Sequence, residues 1–420
     1  MDNPPVPAIF SIMTFDSDIL IVGGGLNGSA LALALAGAGH QVTILDTLPQ
    51  ETLGHQGFDG RSYAMALTST LLLQSIGIWD ALEDDAQAIL DIKVTDGRAG
   101  EGPSPFFMHF NHAEIEEGPM GYMVQDRYLR AALLNATKQC SAITQMHGET
   151  VVAQDVDATG MNVTLASGST LRTKLLVGCD GRGSGTADRA GIKRTGWSYG
   201  QTALVCAIEH ELPHNGVAHQ FFMPSGPLAI LPLTGNKSSI VWSETEENAT
   251  EINAMSQEDY LNVLRPRFGS FLGEIGMVGV RFTYPLSLSL ANELIAPRVA
   301  LLGDAAHGVH PIAGQGLNAG VRDVAALAEV LTDAVRRGED IGAAPVLARY
   351  QEWRRFDNTA LALATDTFNR LFSNDNPILR GIRDIGMGIV GNMPGLRRSF
   401  IREAAGLTGE LPKLLKGEPL

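Results

Sequence analysis

Short apolar runs and glycine turns follow one another in a regular order over the first part of the chain. Residues 18–22 and 41–46 are apolar runs that are typical of buried strands. Between them, a glycine turn over 23–28 precedes an Ala- and Leu-rich helix predicted over 29–38. This order predicts a β-α-β unit with a parallel sheet, because parallel strands need a crossover connection.

The pattern is less regular in the middle of the chain. Residues 61–95 carry helical periodicity, whereas 98–120 are rich in Gly, Pro and His and predict a loop plus a strand. A helix is predicted over 128–137. Residues 151–173 alternate apolar and polar positions around turn residues, and therefore predict hairpin strands.

Alternation returns over residues 200–290 and predicts an antiparallel sheet. Residues 299–302 are a further buried strand, followed by a glycine-rich loop and a helix over 316–335. Residues 345–405 are predicted to be helical throughout. The patterns therefore combine a parallel α/β part, an antiparallel sheet and a helical C-terminus.

Composition narrows the class of protein. The 420 residues suit two interlocked domains, and a hydrophobic content of 45% with 18% charged residues is typical of a globular chain. A net charge of −15 argues against nucleic acid as a partner. The first sixty residues lack Lys and Arg, and no apolar run approaches the roughly 20 residues of a membrane span. We therefore expect a cytoplasmic protein.

The three cysteines and a pair of histidines invite a metal interpretation, which the spacing does not favour. Cys140, Cys179 and Cys206 fit neither a zinc site nor a CxxC pair. His307 and His310 are three residues apart in a glycine-rich loop, where hydrogen bonding within the loop is the favoured role. No metal site is predicted.

The glycine turn has the spacing of a dinucleotide-binding motif. Gly23, Gly25 and Gly28 form G-x-G-x-x-G between strand and helix, and Asp46 ends the second strand. The first glycine allows the turn, the second lets the backbone approach a pyrophosphate, and the third lets the helix pack on the strand. Asp46 is placed to accept hydrogen bonds from ribose hydroxyls. The motif predicts a dinucleotide site without separating FAD from NAD.

Two later segments favour FAD. Residues 175–184 are a buried strand that ends in Asp180-Gly181, and residues 299–318 are a buried strand that ends in Asp304 before a glycine-rich turn and a helix. A carboxylate at a strand end can hold a ribityl hydroxyl. The N–H groups at the following helix start can stabilise negative charge on a reduced flavin.

The three motifs, in this order, resemble the para-hydroxybenzoate hydroxylase class of FAD monooxygenases. The run 310–320 with Asp323 resembles the ubiquinone-biosynthesis hydroxylase branch of that class, as do 59–67 and 370–406. The resemblance spans residues 18–407. It implies an α/β fold, with a Rossmann-like FAD-binding domain, an inserted, mostly antiparallel substrate domain and a helical C-terminus.

The resemblance also implies a division of the chain into domains. The FAD-binding domain is expected to be discontinuous, with the substrate domain inserted into it and a helical segment at the end. The expected bounds are 1–75, 96–190 and 285–370 for the FAD-binding domain, 76–95 and 191–284 for the substrate domain, and 371–420 for the C-terminal segment.

The adenosine half of FAD is assigned by the resemblance to the N-terminal motifs. Gly23, Gly25 and Gly28 are expected to line the pyrophosphate, and Asp46 to bind the adenosine ribose. Arg61, the first cation of the chain, is expected near the cofactor phosphates.

The flavin half is assigned to the later motifs. Gln125 lies between the two groups of motifs and is expected at the adenine half. Asp180 is expected to reach the cofactor and influence nicotinamide use, and Asp304 to hold the ribityl chain. Residues 314–318 are expected to cradle the isoalloxazine edge, with Pro311 on its oxygen-reacting side. The implied cofactor-binding set is Gly23, Gly25, Gly28, Asp46, Arg61, Gln125, Asp180, Asp304, Gly314, Gln315, Gly316, Leu317 and Asn318.

One position departs from the family pattern after Asp180-Gly181. The family pattern has an arginine where this chain has Ala187, and Arg189 lies two residues later. Either Arg189 substitutes from a shifted helix or the contact is absent, which leaves the docking of the reductant open.

The implied activity is hydroxylation of the aromatic ring of a polyprenylated phenol or quinol precursor of ubiquinone. It uses O2, FAD and NAD(P)H or another electron donor such as ferredoxin, through a flavin C4a-hydroperoxide. The cofactor carries the difficult step, so that no catalytic side chain is predicted beyond the flavin-facing Pro311.

Three alternatives stay open. The first is an FAD monooxygenase that acts on an unrelated aromatic compound. The second is a halogenase or prenyl-chain reductase on the same fold, although Trp197-Ser198-Tyr199 does not match the halogenase W-x-W-x-I-P segment. The third is a non-catalytic flavoprotein scaffold of a quinone-biosynthesis complex.

The C-terminal segment carries several arginines among Leu, Ile and Met. Arg380, Arg383, Arg397, Arg398 and Arg402 form a basic amphipathic pattern. A solvated helix face and a peripheral contact with the inner membrane or a biosynthetic complex are equally favoured.

Overall fold

The computed structural model describes residues 14–53, 57–100, 102–372 and 393–420. Most of these residues lie in regular strands and helices. The strands are β1 (Ser17–Val22), β2 (Val42–Asp46), β3 (Ser62–Ala66), β4 (Gln87–Ile89), β5 (Asp91–Arg98), β6 (Gly102–Asn111), β7 (Gly121–Gln125), β8 (Ile143–His147), β9 (Val151–Val156), β10 (Met161–Leu165), β11 (Thr170–Gly178), β12 (Arg194–His210), β13 (Val217–Met223), β14 (Gly226–Leu233), β15 (Lys237–Thr245), β16 (Ile275–Ala291), β17 (Ile295–Ala296), β18 (Val299–Leu301) and β19 (His307–Gly308).

The α-helices within the described ranges connect and cover these strands. They are α1 (Leu26–Gly37), α2 (Gln50–Leu53), α3 (Leu67–Ser75), α4 (Asp126–Gln139), α5 (Gly185–Arg189), α6 (Glu246–Ala254), α7 (Gln257–Phe268), α8 (Gln315–Arg336), α9 (Ala344–Phe372) and α10 (Pro394–Ala404).

An eight-stranded sheet is built around the predicted β-α-β unit. Its central order is β17-β18-β11-β1-β2-β8, with β9 and β10 attached to β11 as a hairpin. β1 pairs in parallel with both β2 and β11, and β11 pairs in parallel with β18. The predicted parallel sheet, its crossover helix and the hairpin strands are therefore confirmed.

The core of this first sheet explains the apolar runs of the sequence. Ile19 and Ile21 in β1 are fully buried, as are Leu175 and Val177 in β11. α1 and α8 pack on the sheet and contribute buried Ala, Leu and Val side chains to the same core. Since both faces of these strands are covered, they read as continuous apolar runs rather than as alternating ones.

A second eight-stranded sheet has the order β19-β16-β12-β15-β14-β13-β5-β6. Its pairs are antiparallel, apart from the parallel pair of β13 with β5. The antiparallel sheet predicted over 200–290 is therefore confirmed, with α6 and α7 as additional helices on one of its faces. The buried Trp242 of this sheet packs there against Tyr260 of α7, with ring centroids 5.9 Å apart.

The helical prediction for residues 61–95 holds for α3 and is wrong for the strands on either side of it. β3 and β4 both pair with β7 in a small three-stranded sheet. β5 joins the second sheet through β13, a strand more than one hundred residues later in the chain. Strand pairing over such distances overrides the local helical pattern. The domain division stays a prediction, although these pairings place β5 and β6 in the second sheet.

The C-terminal helices α9 and α10 confirm the helical prediction where the structure describes it. Arg380 and Arg383 lie outside the described residues. Within the described ranges, no helix is both long enough and apolar enough to span a bilayer.

Candidate active site

The glycine turn between β1 and α1 leaves open space at the N-terminus of the helix. Gly23 has φ +103°, and a Cβ there would lie 2.4 Å from the Cys179 carbonyl oxygen. A Cβ on Gly28 would lie 2.0 Å from the Gly23 carbonyl oxygen, whereas a Cβ on Gly25 would meet no heavy atom within 4 Å. Gly25 is the N-cap of α1 and no side chain caps it. The backbone is therefore tightly packed at Gly23 and Gly28, whereas the space beside Gly25 is open. A phosphate that binds at a helix N-terminus requires such an open space.

Asp46, at the end of β2, supports this turn. Its Oδ2 accepts a hydrogen bond from Gly24 N at 2.8 Å, and its Oδ1 accepts one from Leu48 N at 2.8 Å. The side chain is partly exposed. Its contact with the adenosine ribose stays a prediction.

The ends of three parallel strands meet beside the turn. Val22 pairs with Gly178, and Gly178 pairs with Leu301. The strand ends after β1, β11 and β18 therefore carry the glycine turn, Asp180 and Asp304 to one edge of the sheet. The carboxyl edge of a parallel sheet is where such folds bind nucleotides.

Asn27 of α1 packs against the third of these strand ends. A Cβ on Gly303 would lie 2.5 Å from Asn27 Nδ2, and one on Gly320 would lie 2.2 Å from it. Both glycines therefore make room for the Asn27 amide between α1 and α8. Sequence reasoning missed Asn27, because only the distant glycines explain its position.

Asp180 is engaged in capping the short helix α5. Its Oδ1 accepts from Ser184 Oγ at 2.5 Å, and its Oδ2 accepts from Thr186 N and Oγ1 at 2.9 Å. These contacts orient the loop after β11. The cofactor contact of Asp180 stays a prediction.

Arg189 ends the same helix and bears on the departure from the family pattern. Ala187 is fully buried, so that this position does not present a long side chain to the surface. Arg189 Nε donates to Gln154 Oε1 at 3.2 Å. A Cβ on Gly185 would lie 2.8 Å from Arg189 Nη1, so that the guanidinium lies across the start of α5. The structure thus brings Arg189 back to the Asp180 end of the helix.

Asp304 projects from the third strand end with a side chain 45% exposed. Arg182 Nε lies 3.2 Å from Asp304 Oδ2. From β12, Arg194 donates to the carbonyl oxygens of Asp304 and Ala305 and, at 2.8 Å, to Ser289 Oγ. Arg194 therefore fixes the backbone of Asp304 and joins it to the second sheet.

The loop before α8 is anchored to β3. Gly314 has φ +65° and is the N-cap of α8. Asn318 Nδ2 donates to the carbonyl oxygens of Gly314 and Ala64 at 3.0 and 2.9 Å, and its Oδ1 accepts from Ala66 N at 2.9 Å and Ser69 Oγ at 2.8 Å. One amide thereby sets the distance between the predicted flavin loop and β3.

Arg61 directly precedes β3 and lies next to Gln125, the last residue of the paired strand β7. Asp126 N donates to Arg61 O at 3.0 Å. The Arg61 guanidinium lies 2.7 Å from Asp59 Oδ2 and 3.5 Å from Asp126 Oδ2. Gln125 is buried, and its Oε1 accepts from Arg127 Nε at 2.9 Å. The structure therefore brings these two predicted residues together.

The second sheet turns an apolar, partly aromatic surface toward these residues. The Arg61 guanidinium lies 5.4 Å from the ring centroid of Phe282 in β16. Burial raises the pKa of the Tyr284 phenol, and the charges of Arg182 and Asp304 act on it in opposite directions. The members of this apolar group are Tyr199, Ala203, Val205, Val241, Phe282, Tyr284 and Leu286.

A buried carboxylate holds both ends of the segment from Gly303 to His307. Asp323 Oδ2 accepts from Gly303 N at 3.0 Å and lies 2.5 Å from His307 Nε2, while Arg354 Nε donates to Oδ1 at 2.8 Å. Burial opposes ionisation, but His307 and Arg354 lower the pKa of Asp323 to about 2. His307 therefore serves hydrogen bonding within the loop region. Arg354 was missed, because nothing local pairs it with Asp323.

Within the described part of the chain, no cluster of three His, Cys, Asp or Glu residues is arranged to hold a metal ion. The donor set at the strand ends consists instead of backbone N–H groups, carboxylates and arginines. The open position above Gly25, the helix N-terminus beneath it and the exposed Asp304 fit a dinucleotide that carries a diphosphate and a polyol chain.

Comparison with known proteins agrees with this geometry. The FAD binding domain family model matches residues 16–361. Ubiquinone hydroxylase UbiL of Rhodospirillum rubrum is 46% identical over 407 residues, covering 96% of this chain and 94% of that protein. The 3-demethoxyubiquinol 3-hydroxylase of Escherichia coli is 33% identical, covering 93% of this chain and 99% of that protein.

Solved structures show the same fold. The crystal structure of p-nitrophenol 4-monooxygenase PnpA from Pseudomonas putida superposes with a TM-score of 0.78 at 20% identity, covering 95% of this chain and all of that chain. PqsL of Pseudomonas aeruginosa, a probable FAD-dependent monooxygenase, superposes with a TM-score of 0.73 at 22% identity, covering 88% of this chain and 99% of that chain. The chain therefore belongs to the FAD-binding-domain family and, within it, to the ubiquinone-biosynthesis hydroxylases, with FAD as its cofactor.

Proposed function

We propose that the protein hydroxylates the aromatic ring of a polyprenylated phenol or quinol precursor of ubiquinone, with O2 and with NAD(P)H or another electron donor. The proposal rests on one observation: three strand ends of the first sheet lie beside an apolar surface of the second sheet. The glycine turn, Asp180 and Asp304 share one sheet edge. Arg194 joins Asp304 to the second sheet, where the charge of Asp304 acts on Tyr284.

The N-terminal motifs would hold the adenosine and phosphate parts of FAD. The N-terminus of α1, open above Gly25, would receive the pyrophosphate. Asp46 would accept hydrogen bonds from the ribose while keeping Gly24 N in place. Arg61 would add positive charge near the phosphates, with Gln125 at the adenine half.

The later motifs would hold the flavin part. Asp304 would accept hydrogen bonds from the ribityl chain, with Arg194 fixing its backbone. Residues 314–318 would lie at the isoalloxazine edge, with Pro311 toward the reacting side. When bound, FAD supplies the oxygen-transfer chemistry.

The second sheet would orient the substrate ring. Phe282 and Tyr284 give a surface against which an aromatic ring can stack, and the surrounding aliphatic side chains exclude water from it. Keeping water out matters for this chemistry, because a reactive oxygen donor decays when water reaches it.

The C-terminal segment would contact the membrane that contains a prenylated substrate. Arg397 pairs with Glu114 and Arg402 with Glu117, so that these charges are matched within the chain. The contact would rest instead on apolar side chains of the segment that are 39–50% exposed, namely Met393, Leu396 and Phe400.

The decisive experiment is a deletion of the gene in its own host, followed by analysis of the quinone-pathway lipids. We expect a single prenylated phenol lacking one ring hydroxyl to accumulate. The wild-type gene should restore the quinone, and a gene encoding Asp304→Ala should not. Normal quinone levels in a host with no duplicate enzyme would contradict the proposal and favour an unrelated aromatic substrate.

The scaffold alternative gives a different result in the same strain. A scaffold needs to hold FAD but not to react, so that an Asp304→Ala protein that still accumulates and retains FAD would restore the quinone. The ratio of flavin to protein in the purified variant therefore has to be measured beside the lipids.

A further inference from the structure

His310 is a completely buried histidine beside Pro311 in the predicted flavin loop. Its side chain is 0% exposed, and neither ring nitrogen has a hydrogen-bond partner among the described residues. Burial, with a smaller effect of Arg182, lowers the pKa of His310 to about 4. A neutral imidazole has one donor and one acceptor, and leaving both unpaired in a protein interior is unfavourable. Such a group calls for an explanation.

Tyr199 of β12 contacts this imidazole. The two ring centroids are 5.2 Å apart and the rings meet edge to face at 74°. The register of β12 against β16 shifts between Ser198 and Gln201, and Gly200 has φ +65°. A bulge of this kind re-aims the side chain of one residue out of the regular alternation. The Tyr199 hydroxyl is also buried, on the side of its ring that faces α9.

The Tyr199 hydroxyl faces a carboxylate of α9. Asp366 Oδ2 is 2.9 Å from Arg370 Nε, and Asp366 Oδ1 is buried. Burial, then the negative charge of Asp366 and a hydrogen bond with it, raise the pKa of the Tyr199 phenol. Asp366 therefore engages the proton of the Tyr199 hydroxyl, and the phenol oxygen stays available as an acceptor beside His310.

The hydrogen-bonding capacity of these groups indicates which ligand group could bind to them. A neutral imidazole and a phenol together offer both a donor and an acceptor. A ligand hydroxyl on an aromatic ring both donates and accepts, so that it can satisfy the two at once. A methyl ether of the same ring can only accept, and would leave one of them unpaired.

We propose that His310 and Tyr199 anchor a hydroxyl group of the substrate's aromatic ring, and this inference rests on the proposed function. The hydroxyl enters between the two rings and opens their edge contact. That contact is weak compared with the hydrogen bonds that the ligand supplies to two buried polar groups. The anchor selects free phenols over ring positions that already carry a methoxy group.

The test compares two soluble probes, 2-prenylphenol and its O-methyl ether, titrated into the FAD-loaded protein and followed by the flavin absorption change. The wild-type protein should bind the phenol roughly tenfold or more tightly than the ether, the value of one buried hydrogen bond. His310→Leu and Tyr199→Phe should each bring the two affinities within about threefold. His219→Leu, a histidine of β13 in contact with Phe221 and Phe271, is the matched control and should keep the preference.

A second measurement separates anchoring from a structural role. Since His310 is unpaired in the absence of substrate, His310→Leu should raise the melting temperature of the substrate-free protein while losing the phenol preference. A lower melting temperature, or loss of FAD, would show that the imidazole supports the fold. Tyr199→Phe removes a single oxygen atom and tests the anchor where the leucine variant does not fold.

Each binding result decides between defined conclusions. A preference that persists in both His310→Leu and Tyr199→Phe overturns the anchor and leaves the proposed function intact. Equal binding of phenol and ether by the wild-type protein also overturns it. If the wild-type protein binds neither probe, the phenolic substrate class fails and the anchor fails with it.

Discussion

His307 Nε2 lies 2.5 Å from Asp323 Oδ2, and the same carboxylate oxygen accepts from Gly303 N at 3.0 Å. One buried side chain on α8 therefore holds the residue before Asp304 and the start of the strand that leads to His310. Arg354 from α9 completes the group with a hydrogen bond of 2.8 Å. The predicted ribityl-binding acid and the predicted flavin loop are positioned through this one carboxylate.

Removing the charge of Asp323 should weaken both the fold and cofactor binding. Asp323→Asn removes the buried carboxylate that Arg354 and His307 share, and leaves Arg354 only the partly exposed Asp357 at 2.6 Å. Breaking a buried pair costs about 3–5 kcal/mol of unfolding free energy, and this figure is the upper bound here because Asp357 still pairs with Arg354. We expect a loss of that order in urea denaturation of the FAD-free protein, and a higher Kd for FAD.

The matched control is Asp333→Asn in the same helix. Asp333 is 35% exposed and lies 3.7 Å from Arg336 and 3.6 Å from Arg337. Exposed pairs contribute no more than about 1 kcal/mol, so this change should be small. Equal losses in the two variants would show that the Asp323 network does not position the loop.

His310 should make the stability of the protein depend on pH in a defined window. The pKa of His310 is about 4 in the folded protein and 6.5 in the unfolded chain. Between these values the unfolded chain takes up a proton that the folded protein does not, so that stability falls as pH decreases from about 6.5 to about 4. The loss is on the order of 3–4 kcal/mol, because one pKa unit corresponds to about 1.4 kcal/mol.

The measurement is the unfolding free energy of wild type and His310→Leu at several pH values from 7.5 to about 4.5. Burial also lowers the pKa of His40, His210 and His219, but these residues are common to both proteins. The difference between the two curves therefore isolates His310. Parallel curves over this range would mean that the imidazole is not held neutral.

Replacing Gly25 by alanine should weaken FAD binding, whereas replacing Gly28 by alanine should destabilise the fold. Gly25→Ala places a methyl group in open space, so that the FAD-free protein should keep its stability. The methyl group would however stand where the pyrophosphate approaches the backbone, and FAD binding should weaken by roughly tenfold or more. Gly28→Ala puts a Cβ 2.0 Å from the Gly23 carbonyl oxygen, so that the FAD-free protein itself should lose stability.

Denaturation of the FAD-free proteins and FAD titration distinguish the two effects. Gly37→Ala, at the other end of α1 and with no heavy atom within 4 Å of its Cβ position, is the control. It should leave FAD binding unchanged and leave stability equal or slightly higher, since alanine favours a helix. Normal FAD affinity in Gly25→Ala would remove the pyrophosphate from this position.

The sequence predicts those parts of the fold and site that local patterns determine. The glycine turn, Asp46 and the strand ends at Asp180 and Asp304 lie within short segments whose order already implies a parallel sheet. Their meeting at one edge follows from that sheet alone. The apolar runs of β1 and β11 carry the same information, because strands covered on both faces have no polar alternation.

Other features depend on contacts between distant segments. β5 reads as part of a helical stretch, and its partner β13 begins at Val217. Arg354 and Asn27 are ordinary polar residues of helices until Asp323, Gly303 and Gly320 come against them. Their roles arise only when α8 and α9 pack on the sheet, and no spacing within the chain encodes that packing.

Arg194 should control the position of Asp304 from the second sheet. Its guanidinium donates to the carbonyl oxygens of Asp304 and Ala305 and to Ser289. Arg194→Met keeps the aliphatic stem but leaves these acceptors without their donor, which costs about 1–3 kcal/mol for each acceptor that stays buried. The Asp304 loop should then be less well defined and FAD should bind roughly tenfold more weakly.

FAD titration and urea denaturation measure the two effects. The control is Arg398→Met, a change of an exposed arginine that should alter neither FAD affinity nor stability. Because Arg194 lies outside the predicted cofactor-binding set, a weaker FAD affinity in Arg194→Met would show that the second sheet orders the cofactor site as well as the substrate. An unchanged affinity would confine Arg194 to joining the two sheets.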